Sequence, residues 1–272
     1  MIHIILFILT FGSTWFVGGF LYSLSIMSIL FAHEMGHYIM SRKYNIPATL
    51  PYFIPFPLPP FGTFGALIKM KGTMIDKRAL FDIGAGGPLA GFMVSLPFIY
   101  VGIKLSHVEA VHAQQGFMQL GDPLLFKFFQ MLLVGDIPTG YDLVLHPFAY
   151  AGWVGLFVTA LNLLPVGQLD GGHIVYAVFG EDSRKIYITV LIGLGTYAVF
   201  FSQGWLALII LLFIFGINHP SPLDTETPLD RKRRFLSLVV LIIFILSFIP
   251  KPFPALTVTM RSLEDVSRLI SP

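Results

Sequence analysis

The sequence predicts an all-α polytopic membrane protein with about 6–7 transmembrane helices and a re-entrant or β segment near residues 46–75. Of the 272 residues, 55% are hydrophobic and only 12% are charged, about half the charge of a soluble domain. Apolar runs near the length of a bilayer span recur along the chain. Lysines and arginines gather in the segments between alternate runs.

Residues 1–41 are almost wholly apolar and too long for one ordinary span. Gly18-Gly19 offers a turn, so the stretch divides into helices at about 2–17 and 20–41. Residues 46–78 cannot form a continuous helix, because Pro51, Pro55, Pro57, Pro59 and Pro60 interrupt them. Tyr52, Phe53, Phe56 and Phe61 make the same stretch too apolar for a free loop. It therefore reads as re-entrant or membrane-surface, with a strand at Gly65–Met70. A span follows at 80–103, where Gly87 and Gly91 form a small-xxx-small pair suited to close helix packing. Residues 104–145 read as a polar loop or small cap. Further spans fall at 147–166, 186–201, 204–217 and 235–249, with a Gly-broken segment at 167–182 and a tight turn at Ser202–Gly204. The whole chain, 1–272, reads as one transmembrane domain with additional helices over 186–250.

Threading the spans alternately sorts the 17 lysines and arginines. Lys104, Lys127, Lys251, Arg261 and Arg268 fall on one side. All others, from Arg42 and Lys43 to Arg231–Arg234, fall on the side reached after residue 41. By the positive-inside rule that side is cytoplasmic. The apolar start, with no basic leader region or cleavage site, predicts no removable signal. The run Arg231-Lys232-Arg233-Arg234 reads as a topology anchor and anionic-lipid contact, not a nucleic-acid site.

The chain has no cysteine. That excludes disulfides, thiolate metal sites and cysteine nucleophiles, so a transition metal would have to be held by His, Asp or Glu. His33-Glu34-Met35-Gly36-His37 reads H-E-x-x-H. On a helix, residues four apart share a face, and two imidazoles so placed can share one tetrahedral ion. Glu34 then lies beside the metal, where it can take a proton from a water. The motif ends an apolar helix, where ionisable residues are costly and usually functional.

A catalytic zinc usually has three protein ligands and an open position. Asp170 and Asp82 both sit at the appropriate ends of other spans. Asp170 is favoured: Pro165 breaks the helix before it, and Gly171-Gly172 allows close approach of another element. Asp82 has an alternative role as a helix N-cap. His173 reads as a packed histidine rather than a ligand. His107 through His112 reads as a solvated loop, and His146-Pro147 as a helix start. The alternative to hydrolysis is a metal or proton transporter, or a non-proteolytic membrane scaffold.

His33-Glu34-Met35-Gly36-His37, Gly87-Pro88-Leu89-Ala90-Gly91 and Asn162 through Leu169-Asp170-Gly171-Gly172 together resemble the site-2 protease family of intramembrane zinc metalloproteases. The resemblance covers about residues 20–180. It implies a three-helix catalytic core holding one Zn2+ per chain, with His33, His37 and Asp170 as ligands and Glu34 as catalytic base. It implies that Asn162 holds the substrate backbone or oxyanion, and that a strand near 63–70 receives an unwound transmembrane-helix substrate within the lipid bilayer. Gly167-Gln168 stands where a second proline is frequent in the family. No PDZ or CBS domain fits. The compact form is similar to those of bacteria, archaea and plastids, which places it in a prokaryotic plasma membrane with the H-E-x-x-H side cytoplasmic.

Overall fold

The computed structural model describes residues 1–72, 74–110, 120–202, 205, 206, 209 and 222–253. Most of the expected span 204–217, His112, Arg261 and Arg268 lie outside the described residues, as do residues 203 and 204 of the expected turn at Ser202–Gly204, though the Ser202 carbonyl accepts from the Trp205 amide at 3.1 Å. Seven helices are described: α1 (Ile2–Lys43), α2 (Lys77–Leu105), α3 (Leu124–Leu133), α4 (Pro147–Asn162), α5 (Asp170–Phe179), α6 (Ser183–Phe201) and α7 (Arg231–Ser247). A 3-10 turn at Gly180–Asp182 joins α5 to α6. Three helical stretches among the described residues are long and apolar enough to cross a membrane: Ile2–Lys43, Lys77–Leu105 and Asp170–Phe201. The chain is thus a mostly helical integral membrane protein.

Helix α1 breaks where the sequence offers a turn. Gly19 has φ 81° and ψ 173° inside it, a region open essentially only to glycine. In a straight helix, residues nine apart would stand about 13 Å apart. Here the Thr14 and Ser23 hydroxyls are hydrogen-bonded at 2.7 Å, and the Ser23 hydroxyl also donates to the Phe11 carbonyl at 2.8 Å. The two halves therefore fold back as a helical hairpin.

The chain is not purely helical. Strands β1 (Tyr52–Pro55) and β2 (Thr63–Leu67) pair antiparallel, with Tyr52 opposite Leu67, Phe53 opposite Ala66 and Pro55 opposite Thr63. A bridge from Ala48 to Met70 extends the pairing. The open end of this hairpin lies at the end of α1, where the Ser41 hydroxyl meets the Met70 sulfur at 3.3 Å. Its tip lies beside Tyr22, 19 residues back along α1, so the hairpin runs beside that helix for about 28 Å. Three hydroxyls grip the tip: Tyr150 donates to the Pro60 carbonyl at 2.7 Å, Tyr22 to Phe61 at 2.8 Å and Ser13 to Gly62 at 2.6 Å. The Tyr22 and Tyr150 rings stack with centroids 5.1 Å apart.

The expected polar loop at 104–145 carries structure of its own. Strands β3 (His107–Ala110) and β4 (Tyr141–Val144) pair antiparallel, and α3 lies between them in the chain. Phe126 packs α3 inward, whereas Phe128, Met131 and Leu132 are exposed. His146 does start a helix: its Nδ1 accepts from the Phe148 amide at 3.2 Å.

Helix α4 is buried along almost its whole length, including Trp153, Val154, Leu156 and Phe157. A helix apolar all round belongs in the middle of a bundle. Small residues bring its neighbours close: Gly102 of α2 faces the Ala149 backbone, Gly152 faces Ile99, and Gly155 faces Ser95 and Ile29. It stops at Asn162, four residues before the expected end of that span, because Pro165 cannot continue the ladder. The segment expected to be Gly-broken instead restarts at Asp170 as the regular helix α5.

Candidate active site

The H-E-x-x-H residues lie on the buried face of α1, where His33, Glu34 and His37 are each under a tenth exposed. Helix α2 meets this face through glycines. Gly36 backs onto the Gly86 carbonyl, and a side-chain carbon at Gly87 would fall on the His37 ring. One at Gly91 would come within 3.2 Å of His33 Cβ and Nδ1. The Gly87 and Gly91 pair is therefore what admits the two imidazoles between the helices.

Helix α5 brings the carboxylate. After Pro165 the chain folds tightly, with Gly171 against the Leu163 carbonyl and Gly172 against the Gly167 carbonyl. Tyr187 of α6 anchors the start of α5 by donating to the Gly172 carbonyl at 2.7 Å. Asp170 Oδ2 then stands 3.4 Å from His33 Nε2 and 3.3 Å from His37 Nε2. The two Nε2 atoms are 3.2 Å apart.

These distances test whether zinc fits. Tetrahedral ligation at about 2.0–2.1 Å requires ligand atoms about 3.3–3.4 Å apart. All three pairs match that edge length, and the donor set of two imidazoles and a carboxylate is one zinc accepts. Among the described residues, His33, His37 and Asp170 are the one group of three that could hold a metal. The His37 ring is also oriented: its Nδ1 donates to the Ile83 carbonyl at 2.8 Å, which leaves the Nε2 lone pair for a metal. Asn162, at the end of α4, points its side-chain amide at the cluster, with Nδ2 3.2 Å from His33 Nε2. Glu34 interacts with the Ile68 backbone just past β2, so the hairpin borders the site.

Asp82 is not at this cluster, and it does not cap α2. The cap is Asp76, which accepts from the Ala79 amide at 2.7 Å. Asp82 instead pairs with Arg233 across 151 residues of sequence. His173 lies outside the metal group, with its Cβ against Gly84. His107 Nε2 and Glu109 Oε1 are hydrogen-bonded at 2.9 Å on the exposed strand β3, outside the metal group. Sequence reasoning missed the Ile83 carbonyl, because a backbone acceptor leaves no mark in residue type.

Apolar helices, three stretches of them long enough to cross a membrane, thus surround a two-histidine, one-carboxylate group that could hold a metal ion, with a glutamate beside it. The family model described as peptidase family M50 matches residues 21–202. The chain belongs to that family, the site-2 protease family which its motifs resemble. It is 32% identical over 235 residues to a probable chloroplastic zinc metalloprotease, EGY1, of Oryza sativa subsp. japonica, covering 83% of this chain and 39% of that protein. It is 32% identical over 238 residues to EGY1 of Arabidopsis thaliana, covering 83% and 42%. With EGY2 of Arabidopsis thaliana it shares 28% over 227 residues, covering 83% and 40%. The chain spans about two fifths of the length of these curated relatives.

Proposed function

We propose that this chain is an intramembrane zinc metalloprotease that hydrolyses peptide bonds in transmembrane segments of other membrane proteins. The observation that carries the reading is the tetrahedral spacing of His33, His37 and Asp170 with Glu34 beside them on α1. Those three residues hold one Zn2+, and the catalytic unit occupies about residues 20–180, flanked by helices over 186–250. The family and its zinc metalloprotease relatives support this reading.

Zinc, when bound, acidifies a water and polarises the scissile carbonyl. Glu34 accepts the proton of the attacking water and returns it to the departing amine, so the proton count balances as the C–N bond breaks. The Asn162 amide donates to the substrate carbonyl or to the oxyanion it becomes. A helical peptide bond is shielded and hydrogen-bonded, so the substrate must unwind first. The edge of β2, which leads to Ile68 and Glu34, offers an unwound segment backbone partners. The side bearing Arg42, Lys43, Arg231, Lys232 and Arg234 is the cytoplasmic side, or its equivalent in a bacterial plasma membrane or plastid, by its excess of positive charge.

A transporter could use the same buried ligands but has no need of an acid–base glutamate directly after the first histidine. The test measures zinc content and cleavage of single-span substrates for the purified chain and Glu34→Gln. We expect one zinc per chain in both, with cleavage lost only in the variant. Full cleavage by Glu34→Gln would falsify the mechanism, and a folded wild type without zinc overturns the reading.

A further inference from the structure

The Asp82 carboxylate is the meeting point of three helix ends, and it lies one residue from the group that orients His37. Arg233, in the first turn of α7, reaches it with two parallel bonds: Nε to Oδ1 at 2.8 Å and Nη2 to Oδ2 at 2.7 Å. Tyr44, the residue after α1, donates its hydroxyl to Oδ2 at 2.6 Å and accepts from Arg233 Nη2 at 2.8 Å. Lys43 stands 3.4 Å away, and Asp230 braces the guanidinium from its other face. Burial and the neighbouring Asp82 push the Tyr44 hydroxyl up to about 12, so it stays a donor at neutral pH. The pair is largely enclosed, with side-chain exposures of 18% for Arg233 and 12% for Asp82. Bidentate guanidinium–carboxylate pairs fix relative position as well as contributing energy.

Ile83 follows Asp82 in α2, and its carbonyl receives the His37 Nδ1 proton at 2.8 Å. The Nε2 edge of the ring packs against Gly87, four residues further along the same helix, and faces Asp170 Oδ2 at 3.3 Å. The orientation of His37 therefore depends on where the start of α2 stands against α1. Asp82, hydrogen-bonded to Tyr44 and paired with Arg233, ties the start of α2 to the end of α1 and the start of α7.

We propose that Arg233 and Asp82 are positioning residues for the metal centre, locking α2 against α1 so that the Ile83 carbonyl holds His37 in its metal-binding orientation. The inference rests on His37 being a zinc ligand. It also gives α7, which contributes nothing to the zinc cluster itself, a function in the site. Within the basic run, it separates Arg233 from the exposed Arg231, Lys232 and Arg234.

The test uses the full chain in detergent. Zinc affinity is measured by competition with a fluorescent chelator, alongside the visible spectrum of the Co2+-loaded protein and thermal unfolding of the metal-free form. Loss of the outer partner of a metal-bound histidine typically costs 10–100-fold in metal affinity. We expect Arg233→Leu to weaken zinc by about tenfold or more and to alter the Co2+ spectrum, with Arg233→Lys restoring part of both. Arg231→Leu removes the same charge from the exposed neighbour and should leave both readouts at the wild-type value. If Arg233→Leu does not fold, Asp82→Asn, which keeps the side-chain shape, takes its place with the same expectation. Wild-type affinity and spectrum in a folded Arg233→Leu or Asp82→Asn would overturn this inference alone. Absence of zinc from the wild type would overturn it together with the protease reading.

Discussion

Alanine at Gly87 would put a methyl group where the His37 ring now sits. Two adjustments could relieve the overlap, and both act on the metal centre. If the ring swings away, it leaves the Ile83 carbonyl at 2.8 Å and Asp170 Oδ2 at 3.3 Å. If α2 moves off α1, it opens the seam where Gly36 meets the Gly86 carbonyl. Overpacking of this kind typically costs about 1–3 kcal/mol in stability. Displacing a ligand should lower zinc affinity by at least the roughly 10–100-fold seen when only a ligand's support is removed. Gly193→Ala is the matched control, because its added carbon meets nothing within 4 Å on helix α6. It should stabilise the helix by roughly 0.5–1 kcal/mol and leave zinc alone. Chelator competition and thermal unfolding on the purified chain read both effects. Wild-type zinc affinity in Gly87→Ala would refute the assignment of His37 as a ligand in this geometry.

Gly19→Ala should destabilise the α1 hairpin by about 1–3 kcal/mol, because only glycine sits easily at its backbone angles. Gly12→Ala, seven residues back in open surroundings, should not, and denaturant titration separates the two. Tyr150→Phe and Tyr22→Phe each remove a hydrogen bond to the hairpin tip and should cost about 1 kcal/mol apiece. Protease protection of residues 56–62 would then fall before global unfolding, and unchanged protection would count against the grip.

The readable part of this protein was the part encoded locally. The i, i+4 spacing of His33 and His37 places them on one face of any helix, so the geometry follows from the motif. The Gly18-Gly19 turn and the Gly87 and Gly91 contact face were legible for the same reason: glycine marks positions where backbone approaches closely or bends. Asp170 and Asp82 could be ranked but not separated, since each stands at a helix end. What separates them is Arg233, a partner 151 residues away from Asp82. The strand near Gly65–Met70 was anticipated, yet its pairing with Tyr52–Pro55 across a proline-rich turn had no periodicity to announce it. The β3–β4 pair was likewise hidden within a stretch that composition marks only as polar. Composition does not mark the end of α4, because apolarity continues to Val166 whereas the backbone ladder stops at Asn162.

The unequal lengths of α2 and α4 build a shelf into the bundle. Helix α2, with 29 residues, is about 43 Å long, and α4, with 16, is about 24 Å. They run antiparallel in a steady register, with Gly102 against Ala149, Ile99 against Gly152 and Ser95 against Gly155. Continued at that pace, Asn162 comes level with Pro88 and Leu89. The first eleven or so residues of α2 then overhang the end of α4 by about 16 Å. That overhang is met by α5, whose Asp170 carbonyl, His173 Cβ and Ile174 lie against Gly84. The early end of α4 makes the room, and α5, carrying Asp170, fills it along the longer helix.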